Sequence, residues 1–332
     1  MPAFATTSAL CVFAATGLIE VWIVVAVALV QGMVRAVEIP ADQALLANVV
    51  PPEDLASAVS LTTMSQQGSR AAGPLLAGPL LATVGVEGAY GIAALFALIA
   101  LASVSRVATS SRGGVASLGD VVARVAEGLA YVRATRPVLA VFLLVVAHCS
   151  LTMSFDAMLP GFAETELHEA SGAFTLMTLG VGIGALVGVF VLSVATGVAR
   201  GPLFLVLGLA SGLSPVLMGL SMALPVAIGS SLLMGSSQAM FMALSAIFLQ
   251  EVIPDAVRGR VMSLYLMAAG GIMAMANLAF GALADRWGAA VLFWAPGAAF
   301  VAIVAATLLG VPHLRRVYRT GAIPAPVPAS AA

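Results

Sequence analysis

The chain is a succession of apolar runs, each close to the length that crosses a lipid bilayer. A spanning helix needs about 20 mostly apolar residues. Ten such runs are legible, at about 3–18, 21–47, 56–82, 88–106, 138–160, 171–195, 201–220, 225–250, 261–283 and 288–311. In hydrocarbon every backbone N–H and C=O must be satisfied inside the segment or by a closed barrel, so runs of this length read as helices. Only 9% of the residues are charged, against roughly 25% in a soluble domain. The expected class is an all-α polytopic membrane protein, a helical bundle with ten transmembrane helices. Walker, GxSxG, HExxH and clustered-cysteine patterns are missing from the sequence, so neither an ATP-driven device nor an enzyme of those classes is expected, and no cofactor or metal.

Charge placement gives an orientation. All 14 basic residues are arginine. Arg106, Arg112, Arg124, Arg133 and Arg136 sit in or beside the 107–137 segment, and Arg200, Arg258, Arg260, Arg315, Arg316 and Arg319 sit in later loops or the tail. With ten spans these positions share one face. The opposite loops carry Glu20, Glu87, Glu164, Glu166, Glu169, Asp285 and one arginine, Arg286. The positive-inside rule makes the basic face cytoplasmic, with both termini on it. The N-terminus has no basic region followed by a cleavage site, so no removable signal is expected. Cys11 and Cys149 lie in apolar runs and read as small buried hydrophobes.

The 107–137 segment divides the chain unequally. Residues 1–106 form an N-terminal half of four helices, and residues 138–311 a C-terminal half of six. Between them a linker carries Leu118, Val121, Val122, Val125, Leu129 and Val132 on one helical stripe, which predicts an amphipathic helix on the membrane surface. Residues 312–332 are expected to form a disordered cytoplasmic tail.

An offset of 203 residues lays one part of the chain on another. Val50-Pro51 meets Ile253-Pro254, Ser60-Leu61 meets Ser263-Leu264, and Gly68, Gly78 and Gly85 meet Gly271, Gly281 and Gly288. The helices at 138–160 and 171–195 then have no counterpart after Met1. The repeat therefore predicts a twelve-helix plan of which the first two helices are not in this sequence.

Several residues stand out against the apolar background. Arg35 and Glu38 share a helix face, and Arg70 lies as far after the Pro51–Asp54 turn as Arg35 lies before it, about 24 Å at a helical rise. Charges at such depth must pair or face water. Two readings stand for the trio: an ion pair holding a hairpin, or a proton- or substrate-responsive cluster. Gly73-Pro74 and Gly78-Pro79 give a bent, closely packed helix, either a packing kink or a pivot. His148 and Asp156 are expected on one helix, either as interior residues or as a proton relay. Gln238 and Asn277 are polar groups in apolar helices, serving either helix–helix hydrogen bonds or a cavity lining.

The run VRAVEIPADQALLANVVPPEDLASAVSL, continuing through SRAAGPLLAGPLLATVG, resembles the major facilitator superfamily. The segments EGLAYVRATRP and IFLQEVIPDAVRGRVMSLY extend the resemblance over nearly the whole chain. It is most similar to the exporter-like subgroup of enterobactin exporters and secretion effectors. Gly73-Pro74 and Gly78 resemble the antiporter motif on the fifth helix of proton-coupled exporters. GALADRWG at 281–288 resembles the superfamily's Gly- and Asp-rich signature, but the topology puts it on the outer side, so that motif's gating role is not carried over. The resemblance implies a bacterial inner-membrane secondary transporter. Its partners would be protons, the bilayer and a small amphipathic substrate (a drug, siderophore or secondary metabolite), with no nucleic acid. The alternative is a truncated, non-transporting membrane protein acting as remnant or scaffold.

Overall fold

A computed structural model describes residues 2–16, 22–23, 26–27, 29–32, 34, 49–51, 54–106, 118–168, 170–194 and 198–321. Among the described residues the secondary structure is helical, with no strand. Six helices among the described residues are long and apolar enough to span a bilayer, and a seventh span arises if one bent pair is counted. The chain divides into two compact units, Met1–Val115 and Ala116–Ala332.

The first unit contains α1 (Pro2–Ala15) and α2 (Leu55–Val104). α2 is one run in which Gly85 alone leaves helical dihedrals, at φ 71° and ψ −176°. The expected runs 56–82 and 88–106 are thus two helices in sequence with a glycine joint between them. The repeat pairs this joint with Gly288, which has φ 79° and ψ 148° at the end of α9. Both glycines hold a positive φ that a side chain would strain, so the two copies turn at the same step. The expected run 21–47 lies mostly outside the described residues.

The second unit holds α3 (Leu118–Ala134), α4 (Arg136–Leu151), α5 (Leu159–Thr165), α6 (Ala170–Val194), α7 (Arg200–Gly219), α8 (Leu224–Val252), α9 (Asp255–Trp287), α10 (Ala289–Gly310) and α11 (Pro312–Thr320). The amphipathic linker forms α3, with Val132 buried and Val125 and Leu129 packed on the core. It meets α4 at a bend of 110°. The Glu127 carboxylate pairs with Arg260, and Gly128 lies against the Arg260 backbone, so α3 is fastened to the start of α9. Arg258 donates to the Ile253 carbonyl and closes the end of α8.

Small residues set the closest helix contacts. A Cβ on Gly184 would run into the Leu232 carbonyl, and one on Gly235 into the Val181 carbonyl, so α6 and α8 pack backbone to backbone. α7 and α10 do the same at Gly212 and Gly297.

Two expectations are corrected. The run 138–160 is not one helix: α4 ends at Leu151, and residues 152–158 leave helical geometry before α5. The Thr152 hydroxyl donates to the His148 carbonyl (2.9 Å) and the Ser154 hydroxyl to the Cys149 carbonyl (2.9 Å). The Ser154 side chain thereby takes the Cys149 carbonyl that another turn would use, and Pro160 has no N–H with which to resume the ladder. The expected tail from residue 312 likewise starts as a helix. Leu314, Val317 and Tyr318 form a buried stripe on α11. Pro312 opens the helix, and Gly321 closes it at φ 69° with its N–H on the Val317 carbonyl (2.8 Å). Tyr318 and Thr307 hydroxyls meet at 3.0 Å. Burial raises the Tyr318 pKa, and that hydrogen bond pulls it partly back. Residues 322–332 lie outside the described residues.

Candidate functional site

α4 carries two unlike polar sites one turn apart. At the first, the His148 side chain is fully buried and neither ring nitrogen has a hydrogen-bond partner among the described residues. Its ring lies 4.5 Å from Phe241 of α8 and 5.3 Å from Phe300 of α10, centroid to centroid. Phe204 of α7 stacks on Phe241 at 4.7 Å with an interplanar angle of 8°. Two rings thus flank the imidazole in an aromatic box, and the third backs one of them. Leaving a buried polar group unpaired costs about 1–3 kcal/mol. A cost of that size, persisting inside a close-packed bundle, marks a candidate for function.

At the second site α4 is broken, and its neighbours brace the break. The Gln238 amide of α8 donates to the Thr152 carbonyl at 2.8 Å, and Gln238 is itself buried. The Ser154 hydroxyl also reaches the Met273 carbonyl of α9 at 3.2 Å. The Asn277 side-chain oxygen of α9 accepts from the Ala157 N–H at 3.4 Å. Beside the break, the Cys149 thiol approaches the Met242 sulfur at 3.9 Å, and the Tyr265 hydroxyl donates to the Met242 carbonyl at 3.3 Å. These groups hold a discontinuous helix open with its carbonyls occupied.

The other expected residues are placed unevenly. Asp156 lies in the turn after α4 and is exposed, so it does not share a helix with His148. Arg35 and Glu38 lie outside the described residues. Arg70, Gly73, Pro74, Gly78 and Pro79 lie on helical backbone within α2, and the non-helical step comes later, at Gly85. Gln238 and Asn277 are not merely neighbours in sequence pattern: both converge on the break. No group of three His, Cys, Asp or Glu side chains that could hold a metal is gathered among the described residues.

Sequence reasoning missed the break and the aromatic box. The first had a signal, hydroxyl residues at 152 and 154 followed by Pro160. The second had none, because Phe204, Phe241 and Phe300 come from three helices and meet only through packing.

No curated protein shows significant sequence similarity to the chain. Among solved structures it is similar to a POT family transporter in complex with a thioalcohol-conjugated peptide. That likeness has a TM-score of 0.61 at 14% identity and covers 83% of this chain and 73% of that one. It is similar also to a POT family transporter in complex with 5-aminolevulinic acid, with a TM-score of 0.58 at 13% identity, covering 82% and 72%. The backbone thus has the fold of these transporters. Residues 2–324 match the family described as transmembrane secretion effector. By that match, over nearly its whole length, the chain belongs to the transmembrane secretion effector family, of major facilitator type.

Proposed function

We propose that the chain is a secondary active transporter that exports a small amphipathic molecule in exchange for protons, by alternating access. The family and fold support transport. The observation that carries the coupling reading is His148, a titratable side chain held among aromatic rings without a hydrogen-bond partner among the described residues. A group poised this way gains partners or water only when the helices around it move. It therefore links proton occupancy to conformation. The break after Leu151 supplies the place for such movement, since α4 and α5 are joined by non-helical residues held through side-chain contacts.

In this reading Arg35, Glu38 and Arg70 form a second polar cluster in the first unit, Gly73 to Pro79 act as a pivot, and Asp156 stands on the route of protons at the outer side. The protein sits in a bacterial inner membrane with both termini cytoplasmic, and α3 lies along the cytoplasmic surface. The small ligands named for the two solved neighbours, a conjugated peptide and 5-aminolevulinic acid, fit a small-molecule substrate.

The test is efflux of a fluorescent amphipathic cation from cells expressing the chain, with and without an uncoupler. Export that depends on the chain and stops when the proton gradient is collapsed is expected. Glu38→Gln is expected to slow that export without lowering the amount of protein in the membrane. Efflux equal to that of cells lacking the protein, at full expression, overturns the reading.

A further inference from the structure

A groove of about 310 Å³ runs between α4, α10 and α11. Its walls are apolar: Leu139 and Leu143 on α4 and Ile303 on α10 line it, and Leu143 and Ile303 are 55% and 36% exposed. At one end the lining changes to Arg136 and His313. Neither of these has an ion-pair partner among the described residues. α4 and α11 also both begin at this end, and neither first turn is capped by a side chain, which adds to the positive potential there. Arg315, Arg316 and Arg319 lie exposed on the outer face of α11 beside it.

An apolar trough closed at one end by a guanidinium and an imidazole, on the flank of a membrane bundle, matches one ligand chemistry in the bilayer. We propose that the groove holds an anionic phospholipid, its phosphate between Arg136 and His313 and an acyl chain along Leu143 and Ile303. A zwitterionic lipid offers the same chain but no net charge, and each cation near a lipid surface favours the anionic headgroup by about a fivefold factor. A free phosphate meets Arg136 and His313 but leaves the apolar trough unfilled. The amphipathic α11, with Leu314, Val317 and Tyr318 buried and three arginines outward, would then be a lid whose seating depends on the lipid beside it.

The test is native mass spectrometry of the purified full chain with phosphatidylglycerol and with phosphatidylcholine of the same acyl chains. One phosphatidylglycerol retained in preference to phosphatidylcholine is expected. Arg136→Gln with His313→Gln should lower that preference at least fivefold, and Leu143→Trp, which fills the trough, should weaken retention of both lipids. Arg286→Gln, an exposed change at the end of α9, should alter neither. Positions 136 and 143 are exposed and 313 is half-buried, so the substitutions leave the core intact. Equal retention of the two lipids, or a preference unchanged in the double variant, overturns the proposal. So does complete displacement by inorganic phosphate, or a lipid-free dimer that Leu143→Trp abolishes.

Discussion

Two polar levels of α4 differ by one helical turn and by opposite rules. At the Thr152–Ser154 level each polar side chain reaches a partner: Gln238 satisfies Thr152, Ser154 bridges to Met273, and Asn277 meets Ala157. At His148, four residues earlier, an imidazole is buried and has none among the described residues. The first level behaves as structure should, because an unpaired polar atom in a packed membrane protein has no water to turn to. The second carries the stability cost of an unpaired buried polar group. The comparison teaches that a polar residue in an apolar helix is to be judged by its partners, not by its type.

The sharpest way to break the comparison is His148→Leu. Removing an unpaired buried polar group in favour of an apolar one of similar bulk is neutral or stabilising. The unfolding free energy in detergent should hold or rise, by about 1–3 kcal/mol at most. Gradient-driven efflux should meanwhile fall by about 10²-fold, the lower bound for loss of a positioned proton-transfer group. Stability and transport moving in opposite directions is the signature. Lower stability with normal efflux would make His148 a packing residue and erase the contrast.

Gln238→Leu probes the other level. It strands the Thr152 carbonyl at the end of α4, where no other partner stands among the described residues. A loss of about 1–3 kcal/mol is expected in detergent unfolding, the cost of an orphaned buried acceptor. If stability is unchanged, the break is not held by this hydrogen bond and the two levels are alike.

Much of this arrangement was legible in the sequence, for physical reasons. Apolar run length marks a helix because a bilayer has one thickness, and six of the expected runs are helices long enough to cross it. The 203-residue offset paired Gly85 with Gly288, and both adopt positive φ, since glycine is the residue that tolerates that turn. The stripe at Leu314, Val317 and Tyr318 was also present, although the Ala/Pro-rich residues after it hid the helix. Local signals fail where partners come from afar. The break at residues 152–158 lies inside a run apolar enough to be read as unbroken. The box around His148 depends on Phe241 and Phe300, which lie 93 and 152 positions away in the chain. Polar character alone also could not separate Gln238, which braces, from His148, which does not.

The finest grading of the braced level comes from Ser154→Ala set against Asn277→Ala. The Ser154 hydroxyl carries one hydrogen and lies near two carbonyls, at 2.9 Å to Cys149 and 3.2 Å to Met273, so it donates to one at a time. Its loss should cost about 0.6 kcal/mol, the average for hydrogen bonds between membrane helices. Asn277 makes a long contact of 3.4 Å from a half-buried position, and its replacement should stay within about 0.5 kcal/mol. Unfolding of the two variants in the same detergent orders them, with Gln238→Leu as the upper mark. If Asn277→Ala costs more than Ser154→Ala, then α9 rather than the local hydroxyl holds the break. The hinge would then follow the motion of α9.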